Sequence, residues 1–288
     1  MKSLLILTIA MGPLVAQHHH HDDSLDWSYN DQETIHRSFT LAAGPDRKLV
    51  IDNVSGHVHV TGADIGQVEL NVVRHNYGES RDRLDAVKRK VTLKISQRGN
   101  TVDVFEDGPF RSGDDGINYR SDDHYGYLAV FDYDVQVPRD IELVLKNFNH
   151  GDVEVKGTAG QFDVHDFNGG ITMEQVAGWG KVHTFNGAVK MTFNRSPEHD
   201  LDVHSFNGPV DMYFPRDLNA DIKFSTFNGG VYTDFEVGPI AEAVSGRIDG
   251  ARFVYRTGRD GSGRIGKGGP LLTLHSFNGP IRLHAKNQ

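Results

Sequence analysis

The sequence predicts an all-β protein: a parallel β-solenoid of repeated coils about 20 residues long, with one short helix in its N-terminal part. Three observations carry this expectation. A short phrase, in its fullest form His-x-Phe-Asn-Gly-x-Val, recurs through the second half of the chain. Nearly every segment between turns alternates apolar and polar residues with period two, as half-buried strands do. Glycine is abundant, 32 of 288 residues, which suits a chain broken by many turns.

Along the chain, residues 1–16 have the form of a secretory signal peptide: Lys2, a mostly apolar run over 4–15 broken by Pro13, and Leu14-Val15-Ala16 ending on a small residue. This predicts cleavage after Ala16 and export to the periplasm, the medium or the cell surface; a buried N-terminal strand or helix is the alternative. The run is too short to span a bilayer, and no second apolar stretch reaches that length, so the mature chain is expected to carry no transmembrane segment. Residues 17–32, "QHHHHDDSLDWSYNDQ", form a polar leader expected to be flexible.

Residues 33–146 form the N-terminal β-rich part. "ETIHRSFTL", "KLVIDNVSGHVHVTG" and "QVELNVVRH" alternate as strands. Leu84, Val87 and Val91 recur at helical spacing among charges, which predicts a helix over about 81–90. "VTLKIS" and "NTVDVFE" then read as a hairpin across Arg98-Gly99-Asn100. Residues 107–127, rich in Asp, Gly and Ser, read as a long loop. "YLAVFDYDVQVP" and "DIELVLKNF" follow as strands.

Residues 147–288 are the repeat region, expected to continue the N-terminal part without a break. The pair Phe-Asn stands at Phe148-Asn149, Phe167-Asn168, Phe185-Asn186, Phe206-Asn207, Phe227-Asn228 and Phe277-Asn278; the first five are 19, 18, 21 and 21 residues apart. Degenerate copies stand at 243–249 ("AVSGRID") and from Asn53 ("NVSGHVHV"). In "VHTFNGAVKMTF", Val182, Val189, Met191 and Phe193 are expected to face inward, with Lys190 and Thr192 outward. Asn186-Gly187 supplies the corner, because these residue types tolerate positive φ. Coils stacked in sequence order about 4.8 Å apart would place the motif phenylalanines in an aromatic column inside the core and the asparagines in an amide ladder that satisfies polar groups at a buried corner. On that reading Phe185→Ala is a core truncation costing about 3–5 kcal/mol. Recurrence in every coil points to scaffolding rather than to a single active site.

Composition limits the functional classes. With 38% hydrophobic and 24% charged residues the chain can bury a core. A net charge of −9 argues against nucleic acid or an anionic membrane as the main partner. The absence of cysteine excludes disulfides, thiolate metal sites, thiol catalysis and lipid anchoring through an N-terminal Cys.

"KLVIDNVSGHVHVTG", the single charged helix, "YDVQVPRDIELVLKNFNHGDVEVKG" and the serial Phe-Asn-Gly-x-Val turns together resemble the bacterial putative adhesin family of unknown function, the DUF4097 type. In that family the turns usually read Val-Asn-Gly-Asp-Ile; here Phe replaces Val, and Ala, Gly or Pro replaces Asp. The likeness runs from about Glu33 to His284. It implies an exported or envelope-associated β-solenoid and brings no catalytic motif with it.

Histidines are the sharpest candidates for chemistry. His165, His183, His204 and His275 each lie two residues before a motif Phe. Stacked in register, the first three form a column whose imidazoles could share Zn²⁺ or Cu²⁺. The alternative is an exposed, pH-sensitive ladder, favoured by Ser225 in place of a further His and by the lack of a repeated carboxylate ligand. The leader is the second candidate: cleavage after Ala16 leaves Gln17-His18-His19 at a free terminus, suited to square-planar Cu²⁺ or Ni²⁺, with His20 and His21 following. "GDDGINYRSDD" (113–123) does not match an EF-hand loop. "GSGRIGKG" (261–268) has Gly268 where a phosphate loop needs Ser or Thr and precedes a strand rather than a helix. Signatures of a catalytic nucleophile are absent.

These observations predict a non-catalytic, exported cell-envelope or surface protein, an adhesin-like interaction module for an unknown protein or polysaccharide, with no resident cofactor. The alternatives are a polysaccharide-active β-helix enzyme, or periplasmic transition-metal binding through the His-rich leader. Residues flanking the turns on the outward side, Thr172, Lys190, Asp211, Tyr232 and Arg282, mix charge types; this favours the interaction module over an enzyme groove.

Overall fold

Val182, Val189, Met191 and Phe193 are fully buried while Lys190 between them is exposed, so the period-two alternation sorts side chains to the two sides of a sheet as expected. In the computed structural model, which describes residues 27–112, 116–117, 125–239, 247–249, 252–254 and 260–286, these alternating segments form an all-β architecture of two large, mostly parallel sheets with one helix.

From Lys48 onward the chain steps between the sheets. Glu142–Asn149, Phe162–Asp166, Gly180–Asn186 and Leu201–Asn207 are neighbours in an eleven-stranded sheet. Val153–Lys156, Ile171–Val176, Val189–Phe193 and Val210–Phe214 are neighbours in a ten-stranded sheet. All these pairings are parallel and join equivalent residues: His183 stands opposite His204, Met191 opposite Met212. Antiparallel strands close the ends. Tyr29–Thr40, Gln67–Gly78 and Tyr127–Pro138 do so on one sheet, and the hairpin of Thr92–Arg98 with Thr101–Asp107 on the other.

Between the sheets lie Val164, Val182, Val203 and Leu274 from one side and Ile171, Val189, Val210 and Ile281 from the other, all fully buried. Phe193 stacks on Phe214 within this core, ring centroids 4.8 Å apart, and neither residue belongs to the repeated phrase.

The helix, Arg81–Lys90, begins where the Ser80 hydroxyl accepts from the Arg83 N–H and ends on Lys88, Arg89 and Lys90, whose charges suit its C-terminal dipole. It buries Val87. The Arg74 guanidinium, buried beside it, donates to the carbonyls of Val87 and Val91 and so supplies partners that the helix end lacks.

Four expectations are corrected. First, the motif phenylalanines do not enter the core: Phe167, Phe185, Phe206, Phe227 and Phe277 are each about 40% exposed. With Val182 pointing inward, strict alternation sends Thr184 in and Phe185 out, and the strand holds that parity up to its corner. Second, the coils do not stack wholly in sequence order. Leu271–Asn278 inserts between Leu201–Asn207 and Ala220–Asn228, placing Phe277 between Phe206 and Phe227. Third, none of Gly169, Gly187, Gly208, Gly229 and Gly279 has positive φ, nor have the asparagines before them. These glycines answer to space instead: a Cβ on Gly187 would lie 2.0 Å from the Gly169 carbonyl oxygen, and one on Gly208 2.0 Å from that of Gly187. Fourth, the amide ladder forms on an exposed corner rather than a buried one.

The degenerate corner at Asn53 is present. Asn53 Nδ2 donates to the Gly56 carbonyl, and the buried Glu106 carboxyl accepts from the Val54 N–H. In the other degenerate copy, 243–246 lie outside the described residues, as do 1–26, with the whole signal segment and the four leader histidines, and most of 113–123.

Candidate functional site: an imidazole column beside a phenyl column

His and Phe of the repeated phrase are two residues apart on a strand, so both project from the outer face of the eleven-stranded sheet. Parallel in-register pairing then multiplies each into a column. The imidazoles run His165, His183, His204, His275, with ring centroids 5.0, 4.5 and 4.4 Å apart. The phenyl rings run Phe148, Phe167, Phe185, Phe206, Phe277, Phe227 at 4.7–4.9 Å, with interplanar angles of 12° or less. An open groove of about 590 Å³ lies along the two columns.

The asparagines form the expected chain of amide bonds: Asn168 donates to Asn149, Asn186 to Asn168, Asn207 to Asn186, Asn278 to Asn207 and Asn228 to Asn278, each at 2.7–2.8 Å. A second ladder, not anticipated, comes from the residue between His and Phe. The hydroxyls of Thr184, Ser205, Ser276 and Thr226 face inward and donate to the carbonyls of Gly169, Gly187, Gly208 and Gly279 in the adjoining coil. The phrase is therefore His-Ser/Thr-Phe-Asn-Gly, and the invariably polar residue before each Phe was its visible signal. Asp166 takes this place in one coil. Burial pushes its carboxyl up to about 7, with Asp152 adding to the rise, while Asn147 and the N–H groups of Phe167 and Asn168 pull it down.

Because each phenyl is sandwiched by its neighbours but lies outside the core, Phe185→Ala should cost about 1–2 kcal/mol, from lost stacking and partial burial, rather than a core value. Urea unfolding of the variant measures this; a loss above about 3 kcal/mol would place the ring in a cavity the structure does not have.

The imidazole column contains carboxylates after all. Asp163 and Asp202 precede His165 and His204 by two residues on the same face, a signal visible as Asp-Val-His in both "FDVHDF" and "LDVHSF". Asp163 Oδ1 pairs with His165 Nε2 at 2.8 Å. Asp202 lies between two imidazoles: Oδ1 is 2.6 Å from His204 Nε2 and Oδ2 is 3.7 Å from His183 Nε2. His183, Asp202 and His204 form a group whose ligand atoms all lie within 4.8 Å of one another, the metal-competent cluster found among the described residues. Burial, then the neighbouring His204 and His165, hold the His183 pKa below its ordinary value, which favours the neutral ring a metal requires.

No family model matches the chain, and no curated protein does. Two solved structures match the chain over most of its length. One is a putative cell adhesion protein from Clostridium sporogenes, 12% identical, covering 90% of this chain and 100% of its own, with a TM-score of 0.42. The other is a putative adhesin from Bacteroides fragilis, 11% identical, covering 87% of this chain and 97% of its own, with a TM-score of 0.28.

Proposed function

We propose that the protein is a non-catalytic, exported surface protein of adhesin-like type, built as a β-solenoid, which engages its partner through the face bearing the phenyl and imidazole columns. The observation that carries this is the phenyl column itself: one unbroken row of six rings, five of them about 40% exposed, on a molecule with ample core elsewhere. A continuous apolar strip is costly to leave in water and marks an interaction surface. Parallel, in-register pairing of equivalent residues supports the solenoid, and residues 1–16 support export. Among the described residues no helix is long and apolar enough to cross a membrane.

Ring geometry favours a protein segment over a polysaccharide. Each phenyl face is occupied by the next ring, so the column presents ring edges outward. Sugars stack on open aromatic faces, whereas aliphatic and aromatic side chains pack well against edges. The test is adhesion of the protein to a panel of immobilised fibrous and globular proteins and of neutral and acidic polysaccharides. Phe185→Ser/Phe206→Ser should reduce protein binding at least tenfold; the single change Phe227→Ser, beside Phe277 in the column, serves as the milder variant. Binding unchanged in both variants, or release of sugar fragments from any polysaccharide, would refute the reading.

A further inference from the structure

Three polar atoms at the middle of the imidazole column have no hydrogen-bond partner and no access to solvent: His183 Nε2, Asp202 Oδ1 and His204 Nε2. Asp202 Oδ1 lies 2.6 Å from His204 Nε2, an ion-pair distance, yet neither atom makes a hydrogen bond. Sealed polar atoms without hydrogen bonds are uncommon because each costs a desolvation penalty, and three from one group whose ligand atoms lie within 4.8 Å of one another call for a common occupant. Two imidazole nitrogens and a carboxylate oxygen are a borderline, mixed N/O donor set. Zn²⁺ takes such sets at about 2.0–2.2 Å, so neighbouring ligand atoms in a tetrahedral shell sit a little over 3 Å apart. The three residues offer one ligand atom each within 4.8 Å of one another, a spread that a small closing movement of the side chains brings to that spacing.

We propose that His183, Asp202 and His204 bind a divalent first-row transition metal, zinc foremost, through two imidazoles on adjacent parallel strands and the carboxylate that precedes one of them. Three protein ligands leave a fourth position for water or for a donor from the groove, the arrangement of an open rather than a closed zinc site. The strands supply the ligands because parallel register sets His183 opposite His204 and Lys181 opposite Asp202, so a single Asp-x-His strand beside a Lys-x-His strand gives one carboxylate to two rings. His165 is already paired with Asp163 and is not needed. This inference is independent of partner binding at the phenyl column.

The test uses the full chain with His18, His19, His20 and His21 replaced by Ala, which removes the competing leader. Zn²⁺ is titrated against a chromogenic chelator, and Co²⁺ is added separately as a spectroscopic probe. The expected result is one equivalent per chain, with visible Co²⁺ d–d absorption, and affinity falling at least tenfold in Asp202→Asn and in His204→Gln. His36→Gln, an exposed histidine on a distant strand, should bind as the parent does. Far-UV circular dichroism confirms that the variants are folded, and His183→Gln stands in for either that is not. No binding once the leader histidines are gone, or equal affinity in Asp202→Asn, His204→Gln and His36→Gln, would overturn the site. Either outcome leaves the adhesion assay untouched, so the two readings fail separately.

Discussion

Gly187→Ala is expected to destabilise the protein by about 3 kcal/mol, although it adds one methyl group at an exposed corner. The methyl carbon would lie 2.0 Å from the Gly169 carbonyl oxygen, 2.5 Å from its carbon and 2.9 Å from the Gly170 nitrogen. All three are backbone atoms of the adjoining coil, held by parallel pairing on both sides, so none can rotate away as a side chain would. Relief requires the coils to separate at the corner. That would stretch the Asn186–Asn168 amide bond and the Thr184 contact to Gly169. Gly170→Ala provides the comparison, because its added carbon would stand 3.4 Å from its nearest neighbour, and the equivalent residue in the next coil is already Ala188. That change should cost less than about 0.5 kcal/mol. Urea midpoints of the two variants decide the matter; equal losses would mean that corner spacing is not what keeps glycine there.

Glu106→Gln is expected to remove a large part of the protein's loss of stability with rising pH. The Glu106 side chain is buried at the Asn53 corner, where it accepts from the Val54 N–H at 2.8 Å. Burial pushes its carboxyl up to about 8; the Val54 and Ser55 N–H groups and Arg111 pull it down, and Asp52 pushes it up. The folded chain therefore holds a proton that the unfolded chain releases above about pH 4.5. Stability falls as pH rises between those two values, by up to about 1.4 kcal/mol per pH unit in the middle of the window. Asp166, held up to about 7, adds a slope of the same sign that ends lower, so the interval from pH 7 to 8 isolates Glu106. Glutamine keeps the acceptor for Val54 and carries no titrating proton. Urea unfolding at pH 6, 7 and 8 should show the variant losing less stability than the parent over the last interval. Parallel profiles would show that Glu106 stays ionised in the fold, held by Arg111 and the backbone.

Much of the architecture is legible in local pattern. Alternation over "VTLKIS" and "NTVDVFE" becomes a hairpin, and Leu84, Val87 and Val91 mark the helix Arg81–Lys90. The copies of Phe-Asn-Gly place their asparagines in one amide chain. Period and spacing are properties of consecutive residues, so they survive any arrangement of the sheets. The side on which Phe185 falls was also encoded, since Val182 and Thr184 take the inward parity. Apolar character argued the other way, and the backbone's alternation prevailed because each ring recovers cover from the rings above and below it.

Other features depend on which coil lies beside which. The final Phe-Asn-Gly strand enters between two earlier ones, placing His275 next to His204 and Phe277 between Phe206 and Phe227, an order invisible in residue spacing. The requirement for glycine at 187 comes from a carbonyl 18 residues earlier, and the two-imidazole environment of Asp202 from a strand about 20 residues away. The linear code thus establishes the strands, their faces and the ladders that identical residues must form once stacked. Packing alone decides the order of stacking, the clearance at each corner and the meeting of His183, Asp202 and His204, because those are distances between segments that no local conformational preference constrains.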